Sequence, residues 1–446
     1  SKYNSLDHVP IDSLENFPLY FLSQLNGETD YEFTDKKAYD DFLERFKKIP
    51  EICDSIIYNM RKGMRVKDTI PRIIVLDLLD QYKNTLDLDL EGLDFPAHSI
   101  KNIRESIETY IFPTIKKIKK FLEDEYLCKC TAKIGLCNLS GGSTIYKGLL
   151  EEQTMKGYTP QDLHNLGLRE VDRLMKRINE LKRKMKFKGN LKEFYKHTID
   201  PYANKKDVIE SAKKLQKEIY KKMYPKYFTK ELLDKDLADI SNVASNKSRM
   251  YAFYIGTKKR GTFYVNANIY KDLNKHEMLT LSLHESVPGH HLQLMTHNRS
   301  KKLPLYVQSS HNTGYIEGWG LYCENFTELH SDKEMVWKYV YELQRAIRLV
   351  VDTGIHAFDW SYDKTFAYMS KYSHSSEKLL KNEIIRYICI PSQALSYKVG
   401  ELTILFLRDR YLKKFPDDIK GFHQLIFDIG PCSLDLLVKE FIKKNI

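Results

Sequence analysis

The chain reads as a mainly α-helical protein, and three observations carry that reading. Strong helix formers surround apolar residues that recur at spacings of three and four, as in Val171, Leu174, Ile178 and Leu181. The same pattern fills 36–62, 97–125, 205–223, 333–352 and 432–444. Strand signals are confined to one place, where the aromatic and β-branched runs 251–255 and 262–268 flank Gly256 to Gly261 as a hairpin would.

Taken in order, the helical run 36–62 gives way to 97–125, and Gly141-Gly142-Ser143 reads as a loop. Tyr158-Thr159-Pro160-Gln161-Asp162 reads as a turn into the next helix. The hairpin stands just upstream of the residues that carry chemistry. With 446 residues, the prior is two to three domains or one large helical body with a cleft, at about 150 residues per domain. No internal repeat or low-complexity tract divides the chain.

Composition excludes several classes. Apolar residues make up 42%, with 21 Phe and 30 Tyr, which is far more apolar area than a disordered chain carries. No run approaches the roughly 18–20 apolar residues of a membrane span. The opening SKYNSLDHVP has neither the basic nor the apolar region of a signal peptide, so a soluble chain is expected. It also lacks an initiator Met, and a removed leader would leave the same sequence, so the compartment stays open.

The 71 Lys and Arg exceed the 60 Asp and Glu by 11, but the excess is spread along the chain. The clusters around Lys116–Lys120 and Lys182–Lys186 fit solvated helix faces, and no zinc-finger, RNP or phosphate-loop signature accompanies them. Nucleic acid is therefore not the expected partner. Seven Cys make no disulfide framework, and Cys128, Cys130 and Cys137 lack a fourth partner at zinc-finger spacing.

The informative segment is Leu283-His284-Glu285-Ser286-Val287-Pro288-Gly289-His290-His291. A His-Glu pair on a helix followed by another His suggests a zinc hydrolase, in which imidazoles hold the metal and the carboxylate activates water. The usual second His would stand at position 288, which is Pro. On an unbroken helix His290 would lie roughly 9 Å along the axis from His284, and His291 roughly 10.5 Å. Neither could share an ion whose bonds to nitrogen are about 2.0–2.1 Å. The chain must therefore bend, and Pro288-Gly289 is where it can.

A carboxylate follows 27 residues after His290, in Gly314-Tyr-Ile-Glu317-Gly-Trp-Gly-Leu-Tyr-Cys-Glu324. Two histidines and a glutamate from the next helix form a catalytic zinc set that leaves a position open. Gly318 and Gly320 would let that helix approach closely, and Glu324 is the reserve ligand. Further on, Arg345, Arg348, Asp352 and His356 fall along one side of a helix. Glu383, Arg386, Tyr387, Gln393 and Tyr397 add polar groups to an apolar stretch.

Together these blocks resemble the domain-of-unknown-function 885 family, grouped with metallopeptidases of the gluzincin kind. The resemblance runs from about Phe17 to Phe441 and rests on His164-Asn-Leu-Gly, the 284–293 segment, Glu317-Gly-Trp-Gly-Leu-Tyr and 345–356. It continues through Arg386-Tyr387, 391–400 and Phe422-His423. It implies a large two-lobed helical body around a deep cleft, with a small sheet beside the active-site helix. The lobes expected are a helical one at 1–245 and a catalytic one at 246–446. It favours His290 over His291 as ligand; one departure from the family pattern is Gly320, where Ala is usual, and another is a late start that would omit some of the family's N-terminal helices.

The expected function is zinc-dependent hydrolysis of peptide bonds in short peptides. His284, His290 and Glu317 would hold Zn2+, and Glu285 would be the base. Tyr397 or His356 would donate to the oxyanion. The 262–268 strand would hold an extended substrate. Arg345, Arg348, Arg386, Tyr387 and His291 are the expected substrate-binding residues, with one arginine on a C-terminal carboxylate and Asp352 orienting Arg348 or His356. The alternatives are a zinc enzyme acting on a non-peptide amide, and a catalytically idle basic binding protein.

Overall fold

The fold is mainly α-helical, as the periodicity predicts, with one three-stranded sheet. The structure is a computed structural model describing residues 6–14, 16–25, 33, 35–90, 100–232, 237–243, 251–257, 259–308 and 310–446. The chain divides into two compact units. The first comprises 1–146, 354–366 and 377–391, and the second 147–353, 367–376 and 392–446.

This partition differs from the expected lobes, whose boundary at 245/246 lies outside the described residues. The reason is in the side chains: His356 joins Leu136 and Tyr387, and Asp359 receives both Lys133 and Asn138. These bonds tie 354–366 and 377–391 to the N-terminal segment, a long-range pairing that composition does not register.

In the first unit, helices Lys36–Glu44, Ile49–Val66, Arg72–Leu86 and Phe112–Phe121 turn Phe42, Met60, Leu78 and Ile115 inward, and the 3-10 turn Arg45–Lys48 adds Phe46. The expected helix 97–125 is helical from Ile100 onward, and 97–99 lie outside the described residues. The loop expected at 141–143 is shorter than its sequence suggests. Only Gly141 takes a left-handed φ of 71°, and a helix starts at Gly142.

The second unit opens with α1 (Pro160–Lys184), started by a reciprocal capping box between Thr159 and Asp162. After the short helix Leu191–His197 comes α2 (Lys205–Lys222), capped by the Asn204 side chain. The sheet follows, with β1 (Asp239–Asn242), β2 (Ala252–Gly256) and β3 (Gly261–Val265) in the order β1-β3-β2. The expected hairpin is the antiparallel pair β2–β3, and β1 adds in parallel on the other side of β3. Phe263 and Val265 point into a core shared with Ile240, Ala212, Met278 and Leu281. Because β3 is paired on both sides, the 262–268 strand has no free edge for a substrate. That expectation is corrected: the open edges belong to β1 and β2.

Further helices of this unit include α3 (Met278–Glu285), α4 (His290–Arg299), α5 (Thr313–Cys323) and α6 (Asp332–Phe358, to Thr353 in this unit). They are followed by α7 (Gln393–Lys414) and α8 (Ile419–Ile429). A buried ionic network joins α1, α6 and α7. Lys398, wholly buried, places its Nζ 2.7 Å from Glu342, 2.7 Å from Glu401 and 3.1 Å from Glu170. Lys338 bonds the second Glu342 oxygen at 2.6 Å, and Arg173 pairs with both Glu170 and Glu342. Three acids thus meet three bases, and their charges compensate one another.

Deleting Lys398 leaves Glu401 buried without its cation and the network one positive charge short, at a cost of about 3–5 kcal/mol. Lys398→Met should lose that much stability in urea unfolding. A loss below about 1 kcal/mol would show that the network is not what holds these helices.

Candidate metal centre

The site begins where α3 stops. Ser286 leaves the helix with ψ −117° and Gly289 follows with ψ −129°, so 286–289 form a non-helical link before α4 restarts at His290. The link is held from three directions. His291 N–H donates back to the Ser286 carbonyl at 3.1 Å, and the buried Trp319 donates from Nε1 to the Pro288 carbonyl at 3.0 Å. Ser286 Oγ donates to Gln216 of α2, a buried side chain that also exchanges bonds of 3.0 and 3.1 Å with Ala238. At Gly289 a Cβ would stand 1.8 Å from the His284 carbonyl oxygen, so only glycine lets the link fold this tightly onto α3.

The consequence is the one the spacing required. The rings of His284 and His290 lie with centroids 4.7 Å apart and nearly perpendicular. Glu317 comes from α5, 3.3 Å from His284 Nε2 and 3.6 Å from His290 Nε2. One ligand atom from each of the three residues lies within 4.8 Å of the others.

Glycines let α5 reach this position. A Cβ on Gly320 would lie 2.7 Å from the His284 ring, and one on Gly318 would lie 2.6 Å from Gly400 Cα of α7. The departure at Gly320 is therefore filled by the imidazole itself.

These donors are of the kind that could hold a small divalent cation. Bonds of about 2.1 Å imply donor–donor edges of roughly 3.4 Å, and the two carboxylate–imidazole edges straddle that value. The electrostatics agree. Burial opposes charge on His284, but hydrogen bonds with Glu317 and Glu324 outweigh it and push the imidazole up to about 10. Glu317 is also opposed by burial, yet the two imidazoles hold it well below the usual carboxylate range. An anionic pocket that raises a histidine this far also favours a divalent cation.

Glu324, the reserve ligand, has a different place. Its Oε1 lies 2.8 Å from His284 Nδ1, on the ring edge away from Glu317, and it is 2% exposed. Nδ1–H donating there leaves Nε2 free to bind a metal. Arg345 lies 3.7 Å from the same oxygen. His290 has a weaker counterpart in Gln293, whose Oε1 lies 3.5 Å from Nδ1 while its Nε2 donates to the Tyr315 carbonyl. Sequence reasoning missed Gln293, although a position three residues on from His290 in a helix faces the same way. Glu285 follows His284 and is half-buried; burial pushes its carboxyl up, against the pull of His284, His290 and Arg345.

The remaining expected residues are placed as follows. His291 is buried and meets Tyr254 Oη of β2 at 3.0 Å. Arg345 is 8% exposed and donates to the Tyr341 carbonyl at 3.1 Å. Arg348 and Tyr397 are half-buried, the guanidinium 4.8 Å from the ring centroid. Asp352, wholly buried, accepts from Ser392 N–H at 3.1 and 3.2 Å, which caps the start of α7.

Arg386 and Tyr387 belong to the first unit, where Arg386 lies 3.6 Å from Glu383 and Tyr387 Oη donates to Glu383 at 2.6 Å. His356 is corrected. It has no exposure, Nδ1 accepts from Leu136 N–H at 3.2 Å and Nε2 meets the Tyr387 carbonyl at 2.8 Å. Burial holds it neutral, down to about 4. Both nitrogens are committed to backbone groups, so it pins the fold and has no proton for an oxyanion.

The family model described as "Bacterial protein of unknown function (DUF885)" matches residues 4–441. The chain belongs to this family. Among solved structures it is similar to "the putative lipoprotein from Colwellia psychrerythraea", with a TM-score of 0.85 and 22% identity over 96% of this chain and 79% of that one. A "putative lipoprotein of unknown function" from Shewanella oneidensis gives 0.72 and 15% over 96% and 82%. At these identities the likeness is one of fold. A Pyrococcus furiosus carboxypeptidase, at TM-score 0.31 and 10% identity over 83% and 95%, is too distant to bear on this family member's chemistry. No curated protein matches. No helix among the described residues is long and apolar enough to cross a membrane.

The Glu324 geometry generates a prediction. Glu324→Gln removes the anionic acceptor and should weaken metal binding about 10–100-fold, read by competition with a chelating dye. Unchanged affinity would mean that Glu324 does not orient His284.

Proposed function

We propose that this DUF885 member is a zinc-dependent hydrolase of peptide bonds in short peptides. The observation that carries the reading is the two-histidine, one-glutamate donor set with a further carboxylate, Glu285, directly beside it on α3. Zinc, when bound by His284, His290 and Glu317, would supply Lewis acidity toward the scissile carbonyl and the attacking water. Glu285 accepts the proton of that water and returns it to the leaving amine. Its raised affinity for protons suits both halves of the task.

Tyr397 is the remaining oxyanion donor once His356 is excluded, and the cation over its ring favours a polarised hydroxyl. Of the two edge strands, β2, whose Tyr254 meets His291, is the one better placed to take an extended peptide. Arg345 is turned toward Glu324 and Tyr341, so Arg348 is the arginine best suited to a peptide's C-terminal carboxylate.

Glu285→Gln should retain metal at wild-type stoichiometry and lose about 10²–10⁴ in kcat on a dipeptide library hit. Near-full turnover would remove Glu285 as the base. For the carboxylate, the free acid of a cleaved peptide should outpace its C-terminal amide by about tenfold or more in wild type and not in Arg348→Ala. Equal rates in wild type would remove carboxylate recognition and leave the hydrolase reading standing.

A further inference from the structure

The hairpin turn that separates β2 from β3 is left unused by the metal centre, and so is the chain between α4 and α5. The two meet. Arg299 at the end of α4 donates to the Lys259 carbonyl at 3.1 Å, and Asn298 reaches the Gly256 carbonyl at 3.5 Å. The surface so formed exposes Lys259, Arg260, Arg299, Lys301 and Lys302. Neither 256–261 nor 298–313 contains an acid. On the adjoining side Leu303 closes on Gly430, near Asp428, which accepts from Gln424 at 3.0 Å.

Beside these cations stand Leu305, 66% exposed, and Tyr306, 78% exposed, the two most exposed large apolar side chains among the described residues. They are presented by a built loop. Ser300 Oγ accepts from Lys302 N–H at 3.2 Å and Leu303 N–H at 3.1 Å. Gln308 Nε2 donates to the Ser300 and Leu303 carbonyls at 2.9 and 2.7 Å. Leu303 turns inward in the same segment, so Leu305 and Tyr306 face out although an apolar surface is at hand.

We infer that this face docks the protein on an anionic lipid bilayer, with Leu305 and Tyr306 entering the headgroup region and the five cations meeting lipid phosphates. Protruding apolar side chains ringed by cations match an interfacial membrane contact. A peptide or acidic protein segment would call instead for a concavity around an apolar anchor. With no spanning helix among the described residues, attachment through this face is peripheral. Arg299 lies nine residues beyond His290 on α4, so the face is about 14 Å along the helix from the metal ligands. The inference stands independently of the zinc reading.

The test is flotation of the full chain with vesicles of phosphatidylcholine alone or with about one-third phosphatidylglycerol. Anionic vesicles should bind at least about tenfold better, and the advantage should shrink as salt shortens the screening length. Lys301→Glu with Lys302→Glu should abolish the preference. Leu305→Ser with Tyr306→Ser should reduce binding about five- to tenfold while binding to soluble heparin stays unchanged. Thermal unfolding should be unaltered in both double variants, since all four side chains are exposed. Equal binding to both vesicle types would overturn the inference. So would full vesicle binding by the Leu305/Tyr306 variant, which would mark the face as a site for soluble polyanions.

Discussion

The second unit is organised around one close approach: side-chain donor atoms of His284, His290 and Glu317, from three separate helices, lie within 4.8 Å of one another. A continuous helix through 284–291 would leave the histidines roughly 9 Å apart along the axis. The break at 286–289 removes that separation, and its supports come from outside the motif. Trp319 of α5 and Gln216 of α2 hold the link by its Pro288 carbonyl and its Ser286 hydroxyl. The same α5 that carries Glu317 thus clamps the turn that brings His290 into place. Position and ligand are delivered by one element.

The clamp depends in turn on α5 being seated, and its seat is made of missing side chains. A Cβ on Gly318 would lie 2.6 Å from Gly400, one on Gly320 2.7 Å from the His284 ring, and one on Gly400 2.0 Å from the Gly314 carbonyl oxygen, distances that no Cβ would fit. Close helix–helix contact of this kind has little apolar side-chain area to stabilise it, so other contacts must hold α7 in register. The Lys398 network does so one residue on from Tyr397, and Asn325 joins it to the end of α5, bonding Glu401 at 2.8 Å and Lys338 at 2.8 Å. Buried ion pairs add little net stability, but each has a single satisfied geometry, and here that geometry sets how α1, α6 and α7 cross.

Much of this was legible in the residues. Helical periodicity located α1, α2 and α6, the aromatic runs located β2 and β3, and the impossibility of an unbroken helix located the link at Pro288-Gly289. Those features are local, and local chemistry dictates them. Features decided by distant partners were not legible. Nothing near 239–242 marks β1 as the parallel partner of β3, because its pairing is closed by residues more than twenty positions away. His356 looked like a site residue because it shares a helix side with three polar groups, yet its ring is fixed by Leu136 and Tyr387. Glu324 was visible as a carboxylate on the ligand face, but its role depends on which nitrogen of His284 it meets.

Helix α6 shows why residue type alone could not separate support from recognition. Arg345 and Arg348 are three positions apart and identical in chemistry. Arg345 is turned to a buried side occupied by Glu324 and the Tyr341 carbonyl. Its charge offsets a carboxylate that would otherwise be buried beside Glu285 and Glu317 with only an imidazole to balance it. Arg348 sits with Tyr341 and Gln344 on the half-buried side, where its plane covers Tyr397. Burial, set by how α6 packs, therefore separates the pair: Arg345 lies against Glu324 and the Tyr341 carbonyl, and Arg348 lies half-buried over Tyr397.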